Sequence, residues 1–411
     1  MGSGKSTAAI NYMNDHPDQR FIYITPYLEE AQRIKDGCPN LHFVAPSNKI
    51  PDFNFSKRNH AFELIKEGHN ITSTHQLFRM CTREMLDAIQ FQGYTLIIDE
   101  DLNLLNNEHV HPDDIIAATK CGVLAEAEPN KYTLTGADYK GNLFKPLYTI
   151  FGECSSGELV DKETDVNSGS VFYWSLPTSL ITSFRDVFVL TYMFKGQDLH
   201  HFLEMNKLEY QYIGIDKDDR GRFQFSEDSS YTPEYVYHIG EKIHILNEQR
   251  MNQIGKDKHA LSMSWYANNK DGTNQVKNNM YTYMRRRFKD RPAKDKLWGG
   301  FKELKAKIGG QGYAGGFTPF NTRATNEYRN RHTLAYPVNL YTNVAEKCYY
   351  RKHGVEIDDD DYALSTMIQW IWRSAIRDGE DVDIYIPSKR MRDLLTGWMD
   401  KIAKEGNKIY E

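Results

Sequence analysis

Cysteine is scarce in this chain: five among 411 residues (Cys38, Cys81, Cys121, Cys154 and Cys348), with no C-x-x-C pair. That spacing argues against a disulfide framework and a thiolate zinc site, and the thiols are expected to stay reduced. Long apolar runs are missing too, since no stretch approaches the roughly 18 residues that cross a bilayer. Met1 is followed by a polar, glycine-rich stretch with none of the basic and apolar regions of a secretory signal. A soluble, cytoplasmic protein without a membrane partner is expected. Positive charge is not in excess either, because 51 lysines and arginines face 56 aspartates and glutamates, for a net charge of −5. A nucleic-acid partner must therefore meet locally concentrated positive charge. H-E-x-x-H, G-x-S-x-G and cysteine–histidine zinc spacings are absent, which removes the usual signatures of zinc-protease and serine-hydrolase chemistry.

What is present is an ordinary globular composition, 40% hydrophobic and 26% charged, in a length that suits two domains. Short apolar or β-branched runs at 21–25, 41–45, 70–74, 94–98 and 187–191 alternate with helix-like stretches at 28–35, 59–66 and 76–88. That alternation predicts an α/β fold with parallel sheets covered on both faces. Residues from about 103 to 185 interrupt the rhythm and read as an insertion. The pattern divides the chain into a first domain, 1–206, and a second, 207–411. A helix at 197–205 closes the first; in the second, β-like runs are read at 210–215, 235–240 and 259–265, helices at 276–288 and 361–378, a glycine-rich loop at 309–316, a strand at 382–387 and a helix from Ser388.

Three segments carry chemistry. Gly2-Ser3-Gly4-Lys5-Ser6-Thr7 precedes a helix-compatible stretch. Glycines let backbone amides curl around phosphates, Lys5 would reach the β and γ phosphates, and the Ser6 hydroxyl would ligate magnesium. The first small residue of the full G-x-x-x-x-G-K-[ST] pattern and the strand that normally precedes it are missing, so a truncated or mis-started first strand is expected. Leu96-Ile97-Ile98-Asp99-Glu100 is an apolar strand ending in acids, with Asp99 placed to hold magnesium and Glu100 to activate water. Gln369, Arg373 and Arg377 are spaced i, i+4, i+8, so one continuous helix would aim all three the same way.

Joined in this order, the segments resemble motifs I, II and VI of the superfamily 2 helicases and translocases, whose two RecA-like P-loop domains clamp ATP between them. Further segments are similar to that family's other motifs: Ile24–Leu28 to motif Ia, Thr72–Leu77 to the next strand-end contact, Leu190-Thr191-Tyr192 to the coupling motif, and Leu261–Trp265 to motif IV. The loop start resembles that of herpesvirus origin-binding helicases, and the 323–328 and 386–392 segments have a phage-helicase look. Asp101-Leu102 departs from the DEAD and DEAH patterns, Trp372 stands where the family has glycine, and the second arginine lies one position late. Either Arg373 or Arg377 is then the arginine finger.

The resemblance implies an ATP hydrolase of helicase or translocase type, with ATP and Mg2+ as cofactors and phage or mobile-element DNA replication as setting. DNA is the first choice of partner, RNA the second, with replication proteins as further partners. Thr25, Tyr27, Thr74 and His75 would grip the sugar-phosphate backbone. A basic stretch, Arg285–Lys307, has ten cations against three acids, with Trp298 and Phe301 interleaved as base-stacking candidates. The four acids Asp358–Asp361 read as a helix start in preference to a metal site. Two other readings stand beside the motor: a phage terminase-like packaging ATPase, and an inactive nucleotide- or DNA-binding adaptor.

Overall fold

The computed structural model describes residues 2–407 apart from 27, 52–55, 79–80, 101, 103–104, 109–110, 136–140, 145–146, 148–155, 162–169, 229–230 and 323–326. Near the N-terminus a helix, Lys5–Asp15, leads into strand β1 (Arg20–Thr25); β2 (Ile71–Thr74) and β3 (Tyr94–Asp99) follow after helical crossovers. Strands β1 and β3 are almost wholly buried, apolar runs rather than alternating ones, as a parallel sheet covered on both faces requires. Side chains leave β1 on opposite faces: Ile22 and Ile24 join the core under the helices Lys57–Lys66 and Arg83–Gln92, while Phe21 and Tyr23 join Ala9 and Met13 of the first helix.

Between β3 and the next strand of this sheet the chain forms β4 (Leu105–Glu108), β5 (Leu124–Glu128), β6 (Lys131–Leu134), β7 (Ser156–Asp161) and β8 (Ser170–Ser175), an antiparallel sheet of order β4-β8-β7-β6-β5. A small core of its own, including Ile115, Val123 and Phe144, supports it. The inserted segment is thus a separate layer between β3 and β9 (Asp186–Leu190). The parallel sheet has the order β2-β1-β3-β9, and its carboxyl ends are aligned, Thr25 beside Thr74 and Asp99 beside Leu190.

A hairpin, β10 (Gly214–Lys217) and β11 (Phe223–Ser226), separates this unit from a second parallel sheet. That sheet is built from β12 (Ile243–Ile245), β13 (Lys296–Gly300), β14 (Phe317–Pro319), β15 (Thr333–Ala335) and β16 (Val382–Tyr385), in the order β12-β16-β15-β13-β14. The helices Asp359–Ile371 and Lys389–Asn407 pack beside it, within the largest core of the molecule. The fold is mixed α/β with two parallel sheets.

Several local expectations are corrected. Residues 41–45 follow from a 3-10 turn, Pro39–Leu41, and make one bridge, Val44 to Ile71, instead of a strand. The 76–88 stretch splits, and its second helix starts where the Thr82 hydroxyl accepts from the Met85 amide. The 235–240 run is two helical turns, and 259–265 enters a short helix capped by Ser262. The helix expected over 276–288 runs from Lys270 to Tyr281 and ends in a π turn, Thr282–Arg287. The helix expected over 361–378 stops at Ile371; Ser374 is extended, its hydroxyl donates to the Ile371 carbonyl at 2.6 Å, and a 3-10 turn, Ala375–Asp378, follows.

Trp298 and Phe301 are not free for stacking, because both lie in the core of the second sheet. Asp358 caps its helix by accepting from the Asp360 and Asp361 amides, while Asp359 pairs with Lys347 and Asp360 with Arg390, so the acidic run is accounted for as a helix start. The four described cysteines, Cys38, Cys81, Cys121 and Cys348, form no disulfide with one another. No described helix is long and apolar enough to cross a membrane.

Candidate functional site

Open α/β sheets place ligands beyond the carboxyl ends of their strands. There, a cavity of about 710 Å³ lies between the two sheets. From the first unit it takes Gly2, Ser3, Gly4, Lys5, Ser6 and Thr7, then Asp99 and Glu100; from the second it takes Gln369, Arg373 and Arg377. Three segments distant from one another in sequence therefore face one space. A larger cavity, about 890 Å³, sits among the ion pairs at the amino ends of β15 and β16 and contains none of these residues.

Gly4 precedes the first helix with φ 82°, a left-handed conformation that costs glycine little, and no side chain caps the helix. The helix's first amides are therefore left for another acceptor. The Lys5 ammonium reaches toward Ser3 Oγ at 3.5 Å. Burial pushes its pKa down, against the pull of Asp99 and Glu100. Asp99 sits at the buried end of β3, where Tyr23 Oη donates to its Oδ2 at 3.1 Å. Burial, with Glu100 beside it, pushes the Asp99 carboxyl up to about 7, against the Tyr23 hydrogen bond. Among the described residues no three His, Cys, Asp or Glu side chains cluster as a metal cage, so a cation here would depend on Asp99, the Ser6 hydroxyl and a ligand's own oxygens.

Glu100 adopts φ 67°, a left-handed conformation uncommon outside glycine. Its Oε1 accepts from Arg373 Nη2 at 2.7 Å, an ion pair that spans the two sheets with side chains 20% and 8% exposed. Glu100 Oε2 and Arg373 Nε are buried without a partner. Arg377 lines the same cavity, its pKa lowered by burial and then by Arg373 nearby. The broken helix explains how both arginines reach the space, because the turn at Trp372–Ser374 re-aims the chain between them. Gln369 Nε2 donates to the Tyr192 carbonyl at 3.4 Å.

Tyr192 joins the two units in other ways that sequence reasoning missed. Its carbonyl also accepts from Gln197, which holds Thr191 through a 2.7 Å hydrogen bond. Its hydroxyl accepts from Trp398 Nε1 at 3.1 Å. Arg33, Arg329, Phe223 and Tyr235 are also lining residues; no motif flags them, since each comes from a distant element. The cavity's charged lining is five cations (Lys5, Arg33, Arg329, Arg373, Arg377) against three acids (Asp99, Glu100, Glu234). In a chain of net charge −5 that is an anion-attracting site.

The expected strand-end contacts are less uniform. Thr25 is fully buried with its hydroxyl unpaired, so it offers no surface to a polymer. Thr74 and His75 are partly exposed, and His75 Nε2 donates to the Asp99 carbonyl at 3.3 Å, tying that turn to the acidic strand end. Tyr27, like Arg323–Asn326, lies outside the described residues.

Residues 237–399 match the YonV C-terminal Rossmann-like domain. A solved structure, that of S. tokodaii Xpd4, aligns over 97% of this chain and 92% of its own with a TM-score of 0.43 and 11% identity, a likeness too loose to bear on function. The SPbeta prophage-derived uncharacterized protein YonV of Bacillus subtilis (strain 168) is 33% identical over 409 residues, 97% of each chain. With that identity along nearly its whole length, the chain belongs to the YonV family.

Proposed function

We propose that this protein is a nucleic-acid-stimulated ATPase of the superfamily 2 helicase or translocase type. The observation that carries the reading is the convergence of Gly2–Thr7, Asp99–Glu100 and Gln369–Arg377 on one electropositive cavity between two parallel sheets. Phosphates of ATP would take the open amides of the first helix and the Lys5 ammonium, whose desolvation makes an anionic partner favourable. Mg2+, held by Asp99 and the Ser6 hydroxyl, would neutralise charge developing on the phosphates. Glu100 would orient the attacking water, and Arg373 would turn its guanidinium from Glu100 to the transferring phosphoryl group. The Tyr192 contacts to Gln369 and Trp398 would relay cleft closure to the second unit.

DNA at the Thr74–His75 turn is the favoured track, and the prophage origin of the YonV relative supports a place in phage or mobile-element DNA replication. The test is ATP hydrolysis with and without single-stranded DNA, duplex DNA and RNA, beside Lys5→Ala. Stimulation by one nucleic acid, lost in Lys5→Ala, is the expected result. Hydrolysis indifferent to Lys5→Ala would sink the reading, and ATP binding without any hydrolysis would hand the protein to the adaptor class.

A further inference from the structure

The hairpin β10–β11 stands in sequence between the two sheets, yet it packs on the first helix. Phe225 stacks on Phe188 of β9 with ring centroids 5.0 Å apart and planes 7° from parallel. Asn11 Nδ2 donates to the Phe223 carbonyl at 2.8 Å, and Arg222 pairs with Asp15 at 3.4 Å. These contacts hold the Phe223 ring directly against Gly4, so close that a Cβ there would meet it at 2.6 Å.

Beside Phe223 the aromatic surface of the lining continues in Tyr231. Tyr231 meets Phe223 edge-on at 5.5 Å. The Lys217 ammonium lies 5.0 Å from the Phe223 centroid and 4.4 Å from that of Tyr231. Phe223 and Tyr231 line the cavity and Lys217 does not, so the cation braces the rings from outside. Pro233 and Tyr235 bring the wall back to the loop: Tyr235 Oη donates to the Arg377 carbonyl at 3.1 Å, and a Cβ on Gly2 would meet that hydroxyl at 2.9 Å. A partly exposed aromatic wall is otherwise out of place in a cavity lined by charged side chains. An anionic ligand that also carries a flat ring system uses both surfaces.

We propose that Phe223 and Tyr231 form a stacking wall for the base of a nucleoside triphosphate whose phosphates occupy the Gly2–Thr7 loop. The inference rests on the phosphate-loop reading above and adds the part of the ligand that the loop does not address. Ring faces accept any base, and Glu234 is the charged group on this stretch of lining, so ATP and GTP bind with affinities within about tenfold of each other.

Calorimetric titration with ATP, GTP and inorganic tripolyphosphate, each with Mg2+, tests this on wild type, Tyr231→Ala and Tyr231→Phe. Tyr231→Ala weakens ATP binding about tenfold or more, Tyr231→Phe changes it by less than about threefold, and tripolyphosphate is unaffected by either change. Tripolyphosphate also reports that each variant keeps its loop intact. Unchanged ATP affinity in Tyr231→Ala refutes the wall while leaving the loop reading in place. An equal loss of ATP and tripolyphosphate in Tyr231→Ala overturns stacking in favour of a structural role. If wild type binds neither ligand, the loop reading itself fails and the wall falls with it.

Discussion

Arg373→Ala is the most informative single change, because its side chain is the charged bridge between the two units at the cavity. The guanidinium lies 2.7 Å from Glu100 with both side chains largely enclosed. Two charges about 4 Å apart attract by roughly 4 kcal/mol at an effective dielectric of about 20, much of it offset by desolvation. Breaking a fully buried pair costs about 3–5 kcal/mol. Glu100 keeps some contact with solvent, so about 2–3 kcal/mol of stability is expected to be lost on truncation. In a double-mutant cycle with Glu100→Gln, the coupling should reach about 1 kcal/mol or more by thermal or urea unfolding. Catalysis should respond more strongly: removal of an arginine finger costs about a thousandfold or more in kcat. Arg377→Ala should lose less, because it leaves the Arg373–Glu100 pair intact. Steady-state ATP hydrolysis in the presence of the stimulating nucleic acid separates these effects. Arg373→Ala retaining kcat within about threefold of wild type, or a coupling below about 0.3 kcal/mol, would refute the assignment.

Gly4→Ala should destabilise the first unit by about 1–3 kcal/mol in thermal melts, since φ is 82° and the added Cβ would press on the Phe223 ring. Trp298→Ala should cost about 3–5 kcal/mol in urea unfolding, as expected for a fully buried ring; near-neutral stability would restore Trp298 as a surface candidate. Burial opposes the charged form of His332, but hydrogen bonds with Glu380 and Asp295 (2.7 and 2.8 Å) favour it, with a net upward shift of its pKa. The folded state thus binds the proton more tightly, so its stabilisation is present below the ordinary histidine pKa and fades as pH rises through the raised one. Comparing melts of wild type and His332→Gln near pH 5.5 and pH 8.5 should show a loss on the order of 0.5–1 kcal/mol at the lower pH only. Asp358→Ala should remove the cap of the helix Asp359–Ile371 for about 1 kcal/mol, visible as a lower urea midpoint.

The amino-acid sequence by itself determined the features that are local. Continuous apolar runs marked β1 and β3 because parallel strands buried on both faces need no polar positions. The Gly2–Thr7 pattern and the acids at the end of β3 were legible because each is a short arrangement whose chemistry depends on neighbours in the chain. The insertion was visible as a break in rhythm, although its antiparallel order was not. Tertiary structure decided what depends on contacts between distant elements. Trp298 and Phe301 look like stacking residues in a basic stretch, but β13 carries them into the interior of the second sheet. Thr25 ends a strand as expected and is still enclosed by its surroundings. The i, i+4, i+8 spacing of Gln369, Arg373 and Arg377 promised one helical face; a helix break at Trp372–Ser374 delivers them to the same cavity by another route. The Glu100–Arg373 bridge and the Phe223–Tyr231 wall had no sequence signal, because periodicity encodes which face of an element is buried and carries no information about which other element covers it.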